Sequence, residues 1–321
     1  MAGTKRLLRS FFKLLLPIFV LAAAAVAALS VWLVREASAP LTKVYLVTPE
    51  KYGQLSARGA KITEETWPNQ DGTTSRGWLL RGELNQPAVI MLHRYGTDRS
   101  HVLNLGVKLN EATNFTILMP DQRGHGQNPL IPNSTFGGCE ATDLVAAVGF
   151  LRGLRSAEQF QLVGSQIGVY GIELGALAAI FAAEKEPAIK ALVLDSIPRD
   201  SDALLEYTIS RKYPFASSVT SEFAAIGTHA YFYEGCYRRV PACEAAKNIT
   251  ERRTLLLAGI DAPQFQESTS RTSKCFPANT TVDLKTDLSP SGMDMTNASL
   301  DLSEAYDQRI IDFLKLALTL P

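Results

Sequence analysis

Ile167-Gly-Val-Tyr-Gly-Ile-Glu-Leu-Gly-Ala-Leu-Ala-Ala-Ile-Phe-Ala-Ala-Glu184 is the stretch on which the reading of the fold turns. Its first part is a short apolar run of strand type, and Ala176 to Ala183 is an alanine-rich run of helix formers. Between them, Gly171-Ile-Glu-Leu-Gly175 sets two glycines around Glu173. That spacing predicts a tight strand-to-helix turn with Glu173 at its tip, because only small flanking residues let the backbone bend so sharply. A Gly-x-x-x-Gly beside an alanine run also fits plain close packing of a helix, so the flanking chain must decide.

On both sides, short apolar runs alternate with helical periodicity. Ala88 to Leu92 and Thr116 to Met119 read as strands buried on both faces, separated by a helical stretch from about Arg99 to Glu111. Glu140 to Leu154 is helical by the spacing of Leu144, Ala147, Val148 and Leu151. After the turn come strands at Ile189 to Leu194 (with Asp195-Ser196 at its end), Thr254 to Ala258 and Thr281 to Leu284, then an amphipathic helix from Leu302 to Leu318. Ahead of them, Lys61 to Trp67 and Thr74 to Leu84 flank Pro68-Asn-Gln-Asp-Gly72 as an antiparallel pair. Arg199 to Arg239 reads as a long, aromatic, irregular segment. Alternation of this kind predicts an α/β domain with a mostly parallel twisted sheet and helices on both faces.

The N-terminus carries a second signal. Leu14 to Val34 is 21 consecutive residues without a charge. At 1.5 Å per residue that suffices to cross a bilayer core of about 30 Å. Lys5, Arg6, Arg9 and Lys13 precede it, while Arg35 and Glu36 cancel after it. The asymmetry predicts a cytoplasmic N-terminus with the globular part outside. Ala37-Ser38-Ala39 resembles a signal-peptidase site, but the length of the apolar run and Pro40 favour an uncleaved anchor. The expected organisation is a basic tail over 1–13, a transmembrane anchor over 14–34, a tether over 35–57, and one domain over 58–321 with a cap at about 199–245.

The 321 residues are 46% hydrophobic and 20% charged, with zero formal net charge. No basic block or aromatic-basic stripe points to nucleic acid. Four cysteines at 139, 236, 243 and 275 fall in the segment expected to be extracytoplasmic, and Cys236 with Cys243 is the nearest pair for a disulfide. No Cys-x-x-Cys with partner histidines occurs, so no metal or other cofactor is expected. Sequons stand at Asn114, Asn133, Asn248, Asn279 and Asn297.

Three motifs then line up in order: His93-Arg-Tyr-Gly96 after a strand, Asp121-Gln-Arg-Gly-His-Gly126 after the next, and the pentad around Glu173. Together they resemble the α/β-hydrolase superfamily, most nearly bacterial membrane-anchored esterases and serine-peptidase-like members with a short cap. The likeness covers residues 60 to 200 well and 250 to 321 in outline. It implies an α/β-hydrolase fold in which the pentad is the nucleophile elbow and the backbone N–H groups of Tyr95 and Leu174 form an oxyanion hole. His93 and Arg94 would lie at the pocket, His93 holding its loop by hydrogen bonds; His125 would belong to a structural turn.

The chain departs from that family at three places. Glu173 stands where the nucleophilic serine would be, and Arg94 where a glycine is usual. No histidine follows His229, although the family places its catalytic imidazole after the last strand. The loop there reads Ser289-Pro-Ser-Gly-Met-Asp294, with Met293 near the expected position. Asp261 falls at the acid position with no imidazole to orient. Ser165 and Ser196 lack flanking glycines and read as ordinary loop serines. Two readings follow: a membrane-tethered, non-catalytic relative that binds a small molecule or a protein through the retained pocket, or an esterase-like hydrolase rebuilt around Glu173 as a carboxylate nucleophile. A buried carboxylate needs compensation, and an ion pair between Glu173 and Arg94 is the expected one.

Overall fold

The computed structural model describes residues 2–40, 45–53, 59–127, 129–214, 217–232 and 235–319. The expected tether thus falls partly outside the described residues. In chain order the elements are α1 (Ala2–Ser38), α2 (Pro49–Gly53), β1 (Ile62–Pro68), β2 (Thr74–Leu80), β3 (Gln86–Leu92), α3 (Leu103–Thr113), β4 (Thr116–Pro120), α4 (Gly138–Gly153), β5 (Val163–Ile172), α5 (Leu174–Ala183), β6 (Ile189–Asp195), α6 (Ser201–Lys212), α7 (Ser217–Tyr231), α8 (Ala242–Ala246), β7 (Arg253–Gly259), α9 (Pro263–Ser273), β8 (Thr281–Leu288) and α10 (Leu300–Thr319). They fall into two compact units, Met1–Ala37 with Leu205–Gly235, and Ser38–Leu204 with Cys236–Pro321.

The larger unit is built on one eight-stranded sheet in the order β1-β2-β4-β3-β5-β6-β7-β8. β2 pairs antiparallel with both of its neighbours, β1 and β4, and the remaining pairings are parallel, as the alternation of strands and helices requires. β3, β5 and β6 occupy the middle, and their side chains are almost wholly buried. β8 is an edge strand, and it carries Asp283, Lys285 and Asp287.

α5 lies directly behind β5, and all of its ten residues are buried. Alanine at five of its ten positions lets the helix axis approach the sheet, and the two glycines of the pentad bring it closer still. A Cβ on Gly175 would lie 2.6 Å from both Cβ and O of Leu92, and one on Gly171 would lie 2.4 Å from the Gly175 carbonyl group. Close packing and the sharp turn are therefore one feature of this sequence rather than competing explanations of it.

The smaller unit pairs the apolar N-terminal helix with part of the segment expected as a cap. That segment is helical rather than irregular, with α6 and α7 inside it, and Leu205 and Ile209 one helical turn apart are both buried. The candidate span runs Leu15–Ser38. Its first half is exposed, Phe19 at 73% and Leu16 at 59%, while Leu33, Val34 and Ala37 are buried. Gly227 of α7 meets this buried end so closely that a Cβ would sit 2.2 Å from the Ser30 carbonyl oxygen. Lys212 Nζ reaches Glu36 at 2.6 Å.

The disulfides differ from the expected pairing: Cys139 joins Cys236 and Cys243 joins Cys275. Proximity in sequence misled because Cys243 opens α8, whose chain direction carries it to the end of α9 instead. Cys236 arrives beside the first turn of α4, where Gly138 accepts its backbone so tightly that a Cβ would lie 1.9 Å from the Cys236 oxygen.

Candidate functional site

The C-terminal ends of β3, β5 and β6 meet at Glu173. Its backbone has φ 50° and ψ −102°, a conformation that side chains rarely adopt and that puts the residue at the apex between β5 and α5. The apex is tied down from both sides: Glu173 N–H donates to the Asp195 carbonyl at 2.9 Å, and its own carbonyl accepts from Leu177 N–H at 2.9 Å. The side chain is 2% exposed. It folds back so that Oε2 accepts the backbone N–H of Tyr95 at 2.8 Å. That is one of the two N–H groups assigned to the oxyanion hole by resemblance; the other belongs to Leu174, the first residue of α5.

The expected ion pair between Glu173 and Arg94 does not form. Arg94 directs Nη1 toward the Tyr95 carbonyl at 3.5 Å, and among the described residues it has no ion-pair partner. A backbone amide beside a helix N-terminus already supplies donor and dipole to the carboxylate, so the cation is not needed there.

Tyr95 is positioned by two histidines and a phenylalanine. Its ring stacks on Phe136 with centroids 5.6 Å apart and meets His125 edge-on at 5.1 Å. His93 Nε2 accepts the Gln122 N–H at 3.1 Å while Nδ1 donates to the Arg94 carbonyl at 2.9 Å. His125 Nε2 accepts the Gly96 N–H at 3.0 Å and Nδ1 donates to the Arg123 carbonyl at 2.6 Å. Each ring must be neutral to accept at Nε2 and donate at Nδ1. Burial pushes His93 down to about 3 and His125 down to about 4, consistent with that arrangement. The motif Asp121 to Gly126 thus serves to brace the loop that carries Tyr95.

Asp261 follows β7 and is exposed; it accepts Ser291 N–H at 3.1 Å and Ser291 Oγ–H at 2.8 Å. A second acid, Asp195 at the end of β6, is fully buried and takes three donors: Gly292 N–H at 2.8 Å, Tyr306 O–H at 2.6 Å and Ser196 O–H at 2.7 Å. With its hydroxyl hydrogen given to Asp195, Tyr306 accepts from Tyr170, 3.0 Å away. Burial holds the Asp195 carboxyl above its usual range against the pull of these donors, and it raises both tyrosines, which stay protonated. Ser165 lies exposed near the start of β5, away from the apex.

Sequence reading passed over this Asp195–Tyr306–Tyr170 network. The signal was Tyr170, the one hydroxyl in the buried, otherwise apolar stretch Ile167–Ile172 of β5, which had to find a polar partner. Asp195 and Asp261 both hold the loop after β8, through Gly292 and Ser291 respectively. There is no room for a side chain at Gly292, where a Cβ would lie 2.6 Å from Tyr306 Oη and 2.9 Å from Asp195 Oδ2. Met293 follows and lines a cavity of about 270 Å³ that reaches Arg94, Ile172 and Tyr306.

No family model matches the chain. Among curated proteins it is similar to the thiohydrolase aneE of Aspergillus aculeatus, 26% identical over 124 residues, which is 38% of this chain and only 37% of that protein. Among solved structures it superposes on an esterase from Pyrococcus furiosus with a TM-score of 0.62 at 21% identity, over 88% of this chain and 98% of that one. A dienelactone hydrolase from Anabaena variabilis matches with a TM-score of 0.55 at 14% identity, over 81% and 99%. Strand order, the glycine-flanked apex after β5 and these superpositions agree: the chain has the α/β-hydrolase fold.

Proposed function

We propose that this protein is a membrane-anchored α/β-hydrolase relative that does not catalyse hydrolysis and acts by binding a small molecule or a partner protein. One observation carries the reading: the Glu173 carboxylate holds the Tyr95 N–H, the donor that a substrate's carbonyl oxygen would need. A substrate would have to displace an internal anion to reach it. The two acids that could orient an imidazole are bonded to the Ser291-Gly292 loop, and the sequence supplies no histidine after residue 229.

The second reading, a hydrolase using Glu173 as nucleophile, draws on the strained apex conformation and on relatives named as hydrolases. A carboxylate bound to a backbone N–H is a weakened nucleophile, and the acyl intermediate would still need a base to release it. The test is turnover of an activated ester such as p-nitrophenyl acetate by the purified full chain. We expect release at the buffer rate; saturable turnover well above buffer would establish the second reading instead.

The anchor is assigned to Leu15–Ser38, with the N-terminus cytoplasmic and the larger unit extracytoplasmic, because the flanking positive charge is N-terminal and both disulfides fit an oxidising compartment. Protease added to intact cells should digest the larger unit. Complete protection would reverse the assignment.

A further inference from the structure

The cavity of about 270 Å³ beside the apex lies wholly within the larger unit, and its walls divide by chemistry. Leu105, Ile172, Met293 and Met295 supply an apolar body, and methionine thioethers adapt readily to the shape of a guest. Its charged and titratable lining is Arg94, His101 and Asp307, with the hydroxyls of Tyr170 and Tyr306. Asp307 is answered by Lys108 Nζ at 2.7 Å, and His101 stands 3.6 Å from Asp98. The tyrosine hydroxyls belong to the chain that ends on Asp195. Arg94 alone of this set lacks an acidic partner among the described residues; its one hydrogen bond, to the Tyr95 carbonyl, is a long 3.5 Å.

An arginine lining a half-apolar cavity with most of its fork unused is a site for a planar anion, because two parallel N–H donors match a carboxylate. The carboxylate that could have taken this role, Glu173, is bound to Tyr95 N–H instead. We propose that the cavity binds a small amphipathic carboxylic acid, its carboxylate on the Arg94 guanidinium and its apolar tail against Leu105, Ile172 and the two methionines. This rests on the ligand-binding reading of the site and names the class of ligand. The volume suits a molecule with one ring or a short chain rather than a long lipid.

Isothermal titration of the full chain in nanodiscs tests it, with three probes of matched shape: 4-phenylbutyrate, 4-phenylbutan-1-ol and 4-phenylbutan-1-amine. The acid should bind at least about tenfold tighter than the alcohol, and the amine weakest, since a charge-assisted pair adds roughly one decade or more of affinity. Arg94→Gln should weaken the acid about tenfold and leave the alcohol within about twofold, while Arg94→Lys should keep part of the preference. Thermal unfolding of each variant controls for folding. Should Arg94→Gln not fold, the three-probe ranking on the parent chain and a cavity-filling Met293→Trp, which should abolish binding of the acid, still decide. Equal binding of the three probes, preference for the amine, no binding of the acid at millimolar concentration, or an acid affinity unmoved by Arg94→Gln would overturn the proposal. The same preparations assayed with p-nitrophenyl acetate separate the two claims: ester turnover would remove the non-catalytic reading and leave the carboxylate site standing or falling on its own titration.

Discussion

Glu173 shows how much one side chain alters at an unchanged backbone position. Two glycines, a φ of 50° and the bond to the Asp195 carbonyl keep the apex, whatever side chain it bears. A serine there would be short enough to leave the Tyr95 N–H open, whereas the longer glutamate turns back and fills it. Glu173→Ser should therefore reopen the donor yet give no measurable gain in ester turnover, because the serine has no imidazole to take its proton. A variant rate well above both buffer and the parent chain would show that some other group acts as base. The apex was legible in the sequence because glycine spacing is a backbone signal. The fate of the carboxylate was not: the expected Arg94 partner was chosen by charge, and the structure met the same electrostatic need with a backbone amide, which no side-chain pattern announces.

At the scale of elements, the strands followed from apolar runs, since buried parallel strands leave little choice of residue. The segment from 199 to 239 did not, because its helices α6 and α7 are rich in serine and threonine, which dilute the helical period. The disulfides failed for a related reason: closure depends on where helices carry the chain, not on separation along it. Cys243–Cys275 clamps α8 to the end of α9, and Cys139–Cys236 fixes the chain just beyond α7 to the first turn of α4. Peptide mapping without reductant, on protein from its native compartment, should recover these two pairs and no Cys236–Cys243 peptide. Replacing Cys243 and Cys275 together by serine should cost about 3–4 kcal/mol in urea unfolding, from the chain entropy of a loop of 32 residues. A cost near zero would mean that α8 and α9 are held by packing alone.

For the whole molecule, burial raises the Asp143 carboxyl to about 6, which favours the fold as pH falls toward 5, and the two buried histidines oppose it. Their folded values near 3 and 4 lie below the roughly 6.5 of an unfolded imidazole, so between about pH 6.5 and 4 the unfolded chain binds protons that the folded chain refuses. The histidine contribution to stability must then fall as pH falls through that window. At about pH 5 that contribution should be smaller by on the order of 1–2 kcal/mol from each ring than at pH 7, and the rings' neutrality is read directly as NMR shifts of His93 and His125 that stay constant between pH 7 and 5. Protonation would also remove the acceptors of Gln122 N–H and Gly96 N–H, so the Tyr95 loop should loosen first, visible as faster amide exchange there before global unfolding. Imidazole shifts of either ring that titrate near pH 6.5 would contradict the neutral, doubly bonded rings. The sheet's outer rim bears on a different property. Along β8, Asp283, Lys285 and Asp287 would each have to shed water before a strand from a neighbouring molecule could zip onto the open edge. Charge on this border guards against fibre-like stacking, so crowded copies of the protein are kept from joining their neighbours sheet to sheet.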